Sequence, residues 1–371
     1  MHSLIKSSQP ALRTILNKNY GTLSTIPNVM RVRHLSSTSA CKKDIESWKK
    51  EISQKSKVET DVITPSQVNL LGNTLDHPKF NYDQFPAHGT EIPPGWHLAY
   101  FPPRVPEKEL AKDGYDKEWS PPEPYVRRKW AGGKLEWNVD NPLRVGDEIK
   151  MESKLSKVDI KKGNSVFVWV DSKIHNKQGL ALTESRCWVY TTDDASKEKE
   201  VSEITQNKSS SHGKLKYQDS QSNLMLFFVE VMSNPEFSFN VTPTPITLFR
   251  FSALTFNSHL IHYDHTFATQ VEKQKGCLTH GPLSLIYMVN QLDQYLATKD
   301  ADQQAGHNQT KDRRIKSFEY RCLKPLTVNE ALTISGRWKT NDKEGPSYDL
   351  WIMNDAGDVA VKGLAIIDKV N

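Results

Sequence analysis

Four of the chain's twelve histidines, His259, His262, His265 and His280, fall within twenty-two residues. Three of them sit in or just after the run Phe251-Ser252-Ala253-Leu254-Thr255-Phe256-Asn257-Ser258-His259-Leu260-Ile261-His262-Tyr263-Asp264, and the fourth opens His280-Gly281-Pro282-Leu283. Imidazoles this dense suit metal ligation, the bracing of a turn, or proton transfer. Ligation is disfavoured: His259 and His262 have the spacing of one helical face, but no acid lies between them in a His-Glu-x-x-His arrangement, and Leu260-Ile261 read as packing residues. No metal is expected. Bracing and acid-base chemistry both fit the residues alone, since an unperturbed imidazole titrates near neutrality and can accept or donate a proton.

Something must hold these side chains in place. After Gly281-Pro282, with proline suited to a first helical turn, Leu285, Met288, Val289, Leu292 and Leu296 recur at i, i+3, i+4, i+7 and i+11, which predicts a helix with one buried stripe. Strand patterns follow, with Phe318, Tyr320 and Cys322 alternating against Glu319 and Arg321. The upstream half of the chain carries the same order of signals. Pro142-Leu143-Arg144-Val145-Gly146-Asp147-Glu148 matches Pro325-Leu326-Thr327-Val328-Asn329-Glu330. Each is followed by a charged turn containing glycine and a strand rich in β-branched or aromatic residues. Then Asn176-Lys177-Gln178-Gly179 and Asn354-Asp355-Ala356-Gly357 supply the Asn and Gly of tight hairpins. The simplest reading is two copies of one antiparallel module, each a sheet packed around a helix, in the α+β class.

Composition sets the boundaries. With 371 residues, 37% of them hydrophobic and nine tryptophans, the chain can fill two cores. Residues 1–43 hold seven Lys or Arg and no acid, with Leu4, Ile5, Leu12, Ile15 and Leu16 between the bases. That composition predicts a mitochondrial transit peptide, cut after Leu35 in Arg33-His34-Leu35 or a few residues later, and hence a matrix protein. Without those seven, 42 basic residues face 44 acidic ones, so the formal charge of +5 belongs to the leader. A body without basic excess gives no footing for nucleic acid. Cys41, Cys187, Cys277 and Cys322 show no paired spacing, so no disulfide framework is expected. No run reaches the ~18 apolar residues of a membrane span. Units are expected at 60–190 and 224–371, joined by a polar linker at 191–223.

The histidine run resembles the catalytic motif of the MaoC-like hot-dog hydratases and dehydratases, in which Asp-x-Asn-Pro-x-His-x-Asp precedes a His-Gly that opens the central helix. His262-Tyr263-Asp264 match the His-x-Asp, and His280-Gly281 the His-Gly. Asn257 stands where the motif has its catalytic Asp, and His259 where it has Asn. The form seen here is most similar to the mitochondrial hydroxyacyl-thioester dehydratase branch. Arg127 to Glu136, running into Pro142 to Asp147, resembles the N-terminal unit of the same enzymes and has no His-x-Asp. The resemblance implies a double hot-dog whose first unit is non-catalytic, acting on a 3-hydroxyacyl thioester carried on acyl carrier protein or CoA, with no cofactor, as a monomer or homodimer. It implies His262 as acid and base, Asp264 as support for its turn, and Asn257 and His259 at the hydroxyl. Gly281 would donate its N–H to the thioester carbonyl, with His280 beside it at the substrate. Arg127, Arg128 and Lys129, beside Trp130 at the substrate, would meet the pantetheine phosphate or the acidic face of acyl carrier protein. A CoA hydratase of another pathway and a non-catalytic acyl-binding subunit are the alternatives, the second because an Asn cannot replace an Asp as base.

Overall fold

A computed structural model of the chain describes residues 38–80, 82–161, 165–192, 234–305, 313–339 and 345–369. Residues 1–37, with the expected processing site, and 193–233, with most of the expected linker, lie outside them. The first half runs α1 (Thr38–Ile52), β1 (Ser56–Val62), α2 (Pro65–Thr74), β2 (Arg127–Trp137), β3 (Glu148–Lys161), β4 (Ser165–Asn176) and β5 (Gly179–Thr191). The second runs β6 (Phe237–Val241), α3 (Pro245–Thr255), α4 (Gly281–Ala305), β7 (Arg313–Cys322), β8 (Leu332–Lys339), β9 (Ser347–Met353) and β10 (Val359–Lys369). Helix α1 takes in Thr38 to Lys43, the end of the segment whose composition reads as leader.

The repeat is real at the level of hydrogen bonds. Strand order is β1-β3-β4-β5-β2 in one half and, mirrored, β7-β10-β9-β8-β6 in the other. Thr64 and Thr244 each cap a helix with Pro at its first turn. The Ile92 and Thr279 amides donate to Leu143 and Leu326, and Val145 and Val328 donate to Thr90 and Cys277. Gly146 (φ 95°) and Asn329 (φ 64°), aligned in the sequence repeat, both turn through left-handed backbone. Both hairpins form where expected, β4–β5 around Lys177-Gln178 and β9–β10 with Gly357 at φ 77°.

Two details differ from expectation. The halves form one ten-stranded antiparallel sheet, not two, because Gly132 to Glu136 of β2 pair with Arg321 to Ser317 of β7 across the seam. Glycine permits the close approach at its start: a Cβ on Gly132 would lie 2.2 Å from the Tyr320 carbonyl of β7. Secondly, among the described residues only the second half has a central helix. Its counterpart in the first half is the single 3₁₀ turn Trp96–Ala99. Pro93-Pro94 before that turn and Pro102-Pro103 after it withhold the amide donors and backbone freedom a longer helix needs.

Helix α4 therefore serves both halves. Every residue from Leu283 to Asn290 is buried, not one stripe alone. The side away from β7–β9 is closed by the first half: Gly95 seats against Ile286 and Val289, and the Trp96 indole donates to Asn290 Oδ1 at 3.2 Å. Residues of both halves thus share one core. A smaller cluster lies on the other face of the first half, where Ile45 and Trp48 of α1 cover Val166, Val168, Val170 and Trp188.

Candidate active site

Helix α3 ends at Phe256 in left-handed backbone (φ 50°), which turns the chain into the cavity between the halves. Asn257 Oδ1 accepts the His259 amide at 3.1 Å, and a 3₁₀ turn, Leu260–His262, delivers the second imidazole. Asp264 closes the segment: its Oδ1 accepts the Phe267 N–H at 2.9 Å. It braces the turn from behind and is not part of the cavity wall.

His262 lies against the start of α4. Its Nδ1 is 2.8 Å from the Leu278 carbonyl, which can only accept, so Nδ1 carries the proton and Nε2 keeps its lone pair for the cavity. Its ring stacks on His280 at 3.6 Å between centroids and 17° between planes. Burial, with the neighbouring His259 imidazole, pulls the His262 pKa down to about 3, and burial beside His262 holds His280 well below its usual range. Both rings are neutral at pH 7. Expected at the substrate, His280 is instead fully buried behind His262 and outside the cavity wall, with Nε2 2.9 Å from Ser252 Oγ. It acts as a backing plate for the His262 ring.

His259 stands edge-on to His262, centroids 5.5 Å apart. Its Nε2 lies 3.2 Å from Oδ2 of Asp113, a residue of the first half. Neither Asp113 nor its neighbour Tyr115, whose ring meets His259 edge-on, is singled out by the sequence pattern. The Arg128 guanidinium stacks over that Tyr115 ring.

Gly281 starts α4 and lines the cavity. Its N–H is one of the helix's opening donors, which have no partner within the helix. Trp130 lies directly over it, and a Cβ on Gly281 would fall 2.6 Å from the indole Cγ. The indole is fixed in turn by its Nε1–H donating to the Tyr320 hydroxyl at 2.8 Å.

The cavity these groups face has a volume of about 650 Å³, ample for an acyl chain and part of its carrier arm. Its wall includes apolar Leu98, Phe101, Val105, Leu110, Phe251 and Ile261 and cationic Arg128, Lys129, Arg186, Arg321 and Lys324. Arg127 turns away to the Val271 carbonyl. Among the described residues, no three His, Cys, Asp or Glu side chains converge to hold a metal. No described helix is long and apolar enough to cross a membrane.

A sheet doubled end to end around a central helix, with a cavity between its halves, is a double hot-dog. The MaoC-like dehydratase of Phytophthora capsici shares this fold, with a TM-score of 0.57 at 12% identity over 87% of this chain and 99% of that one. So does HtdX of Mycobacterium tuberculosis, with a TM-score of 0.52 at 12% identity over 85% and 100%. The family model for hydroxyacyl-thioester dehydratase type 2 matches residues 95–228 and 229–328, and the chain belongs to that family. Two curated relatives are similar along most of their length. One is the mesaconyl-C(4)-CoA hydratase of Chloroflexus aurantiacus, 30% identical over 75% of this chain and 85% of its own. The other is the mitochondrial hydroxyacyl-thioester dehydratase type 2 of Schizosaccharomyces pombe, 28% identical over 74% and 87%. The chain is an enzyme of the hydro-lyase class that adds water to, or removes it from, acyl thioesters.

Proposed function

We propose that the chain removes water from 3-hydroxyacyl groups carried on acyl carrier protein, giving trans-2-enoyl thioesters, in type II fatty acid synthesis of the mitochondrial matrix. The observation that carries the chemistry is His262, whose Nδ1–H is spent on Leu278 so that Nε2 faces the acyl cavity as a neutral base beside the first amide of α4. Nε2 takes the C2 proton. As the C2–H bond breaks, charge moves onto the thioester oxygen, where the Gly281 N–H and the positive end of the helix dipole stabilise it. The imidazolium then returns its proton to the C3 hydroxyl, the C–O bond breaks, and water leaves as the C2–C3 double bond forms. The Asn257 amide and His259, both on the cavity wall, hold the departing hydroxyl. Asp264 keeps the turn in place.

The carrier is read from two features: the base-rich, acid-free leader and the mitochondrial name of the fission-yeast relative. The cationic side chains on the cavity wall suit the phosphate of a pantetheine arm, which both carriers have. Arg128 and Lys129, just before Trp130, belong to that group. One chain brings both halves to the cavity, so a monomer suffices, and a homodimer is equally compatible. The Chloroflexus relative favours a second reading, hydration of a CoA thioester. Loss of the conjugated enoyl absorbance, followed for trans-2-enoyl groups on CoA and on acyl carrier protein, separates the two. A higher kcat/KM for the carrier protein supports the first reading, and a higher value for CoA supports the second. No hydration of either by a folded sample would leave only the acyl-binding alternative.

A further inference from the structure

We infer that Asp113, contributed by the first half, is the positioning carboxylate of this site, holding His259 at the acyl cavity where the motif at Asn257 has no acid of its own. The inference rests on the hydro-lyase reading above and adds a residue to it. Asp113 sits in a turn docked on the catalytic segment by two backbone ties: the Leu260 amide donates to the Asp113 carbonyl at 2.8 Å, and Ser258 Oγ donates to the Gly114 carbonyl. The approach is close enough to require glycine at 114 (φ 82°), where a Cβ would lie 2.2 Å from the Ser258 carbonyl. One carboxylate oxygen, Oδ1, accepts the Tyr115 N–H at 3.2 Å, which aims the other, Oδ2, at His259 Nε2.

Both side chains are largely removed from water, so the interaction is strong and directional. Burial opposes the charge on Asp113, but the hydrogen bond and charge of His259, the charge of Arg128 and the Tyr115 amide outweigh it and keep the carboxyl below its usual range. An ionised acceptor fixes the proton on Nε2 whatever the charge of the ring. The nitrogen left for substrate is Nδ1, on a ring that lines the cavity 5.5 Å from His262. A carboxylate that selects one tautomer and one orientation of an imidazole is the support found in other acid-base sites. Here the acid comes from the other half of the chain.

Asp113→Asn tests this, because the amide keeps the Oδ1 bond to Tyr115 while losing the charge that selects the tautomer. With trans-2-enoyl-CoA, kcat is expected to fall about 10- to 100-fold with KM within about threefold, and Asp113→Glu to recover part of the loss. Added to His259→Gln, Asp113→Asn should cost nothing more, since it acts through that ring. The inference is overturned if Asp113→Asn stays within about twofold of the parent kcat, if the loss falls on KM, or if it lowers His259→Gln by the same factor again. The parent enzyme is the control for the wider reading. Were it inactive, the hydro-lyase mechanism would fail first, independently of Asp113.

Discussion

The two halves have the same strand order and the same turn bonds, yet only one presents a base and an open helix amide to the cavity. Aligned on the Glu91–Arg144 and Leu278–Thr327 bridges, Pro93-Pro94 stand where the second half has His280-Gly281. A proline has no N–H, so Pro94 cannot supply the donor that Gly281 supplies. In place of the imidazole stack, the first half buries an ion cluster: Glu184 Oε2 lies 2.7 Å from Arg186 and 3.3 Å from His97 Nε2. The lesson is one of divided labour. Freed of chemistry, the first half uses its irregular stretch between α2 and β2 to close α4, wall the cavity and deliver Asp113.

Matched substitutions put that division at risk. His262→Ala should lower kcat for enoyl-CoA hydration by about a thousandfold, the usual worth of a general acid-base group. His97→Ala should leave kcat within about threefold but remove about 3 kcal/mol of stability in a denaturant titration, because buried Glu184 loses one of its two partners. A large rate loss in His97→Ala would show that chemistry is shared between halves. Next in size, Gly281→Ala drives a Cβ into Trp130 and shifts the helix start, which predicts a fall of about tenfold or more in kcat/KM; Pro94→Ala is expected to stay near parental values. Equal losses at both positions would break the comparison.

The smallest effects concern pH. Burial opposes ionisation of Glu184, but Arg186 and His97 hold its carboxyl at about 2 against an ordinary 4.5. A carboxyl depressed on folding adds stability above its unfolded pKa, and that stability is lost as pH falls from about 4.5 to 2. His262 is depressed from 6.5 to about 3. An imidazole buried in neutral form is protonated first in the unfolded chain, so its contribution to stability is lost as pH falls from 6.5 to 3. The melting temperature should therefore decline in two overlapping windows. Glu184→Gln should flatten only the part below pH 4.5, and His262→Ala part of the decline above it. A single window insensitive to either substitution would contradict these assignments.

Much of the framework was legible in the residues. Period and turn chemistry marked α4 and both hairpins, the sequence repeat paired Gly146 with Asn329 without announcing their turns, and the density of imidazoles pointed to the segment that lines the cavity. What was missed depends on tertiary closure. Burial of α4 on every side comes from Gly95 and Trp96, which no local period in α4 can announce. Asp113 reaches His259 only because the halves fold on one another, and an isolated Asp in a polar loop has no distinguishing pattern. Other signals were present but unread. Pro93-Pro94 and Pro102-Pro103 argue against a second long helix, and Ile45, Trp48 and Ile52 have the helical spacing of α1's buried side.

The pair of prolines at the start of the first half's short turn also sets a stoichiometry. Where the second half has Gly281 the first has Pro94, so the amide proposed to stabilise an enolate has no counterpart there. On the mechanism proposed above, each polypeptide then has a single reacting centre, and cooperative binding of thioester is expected only between chains.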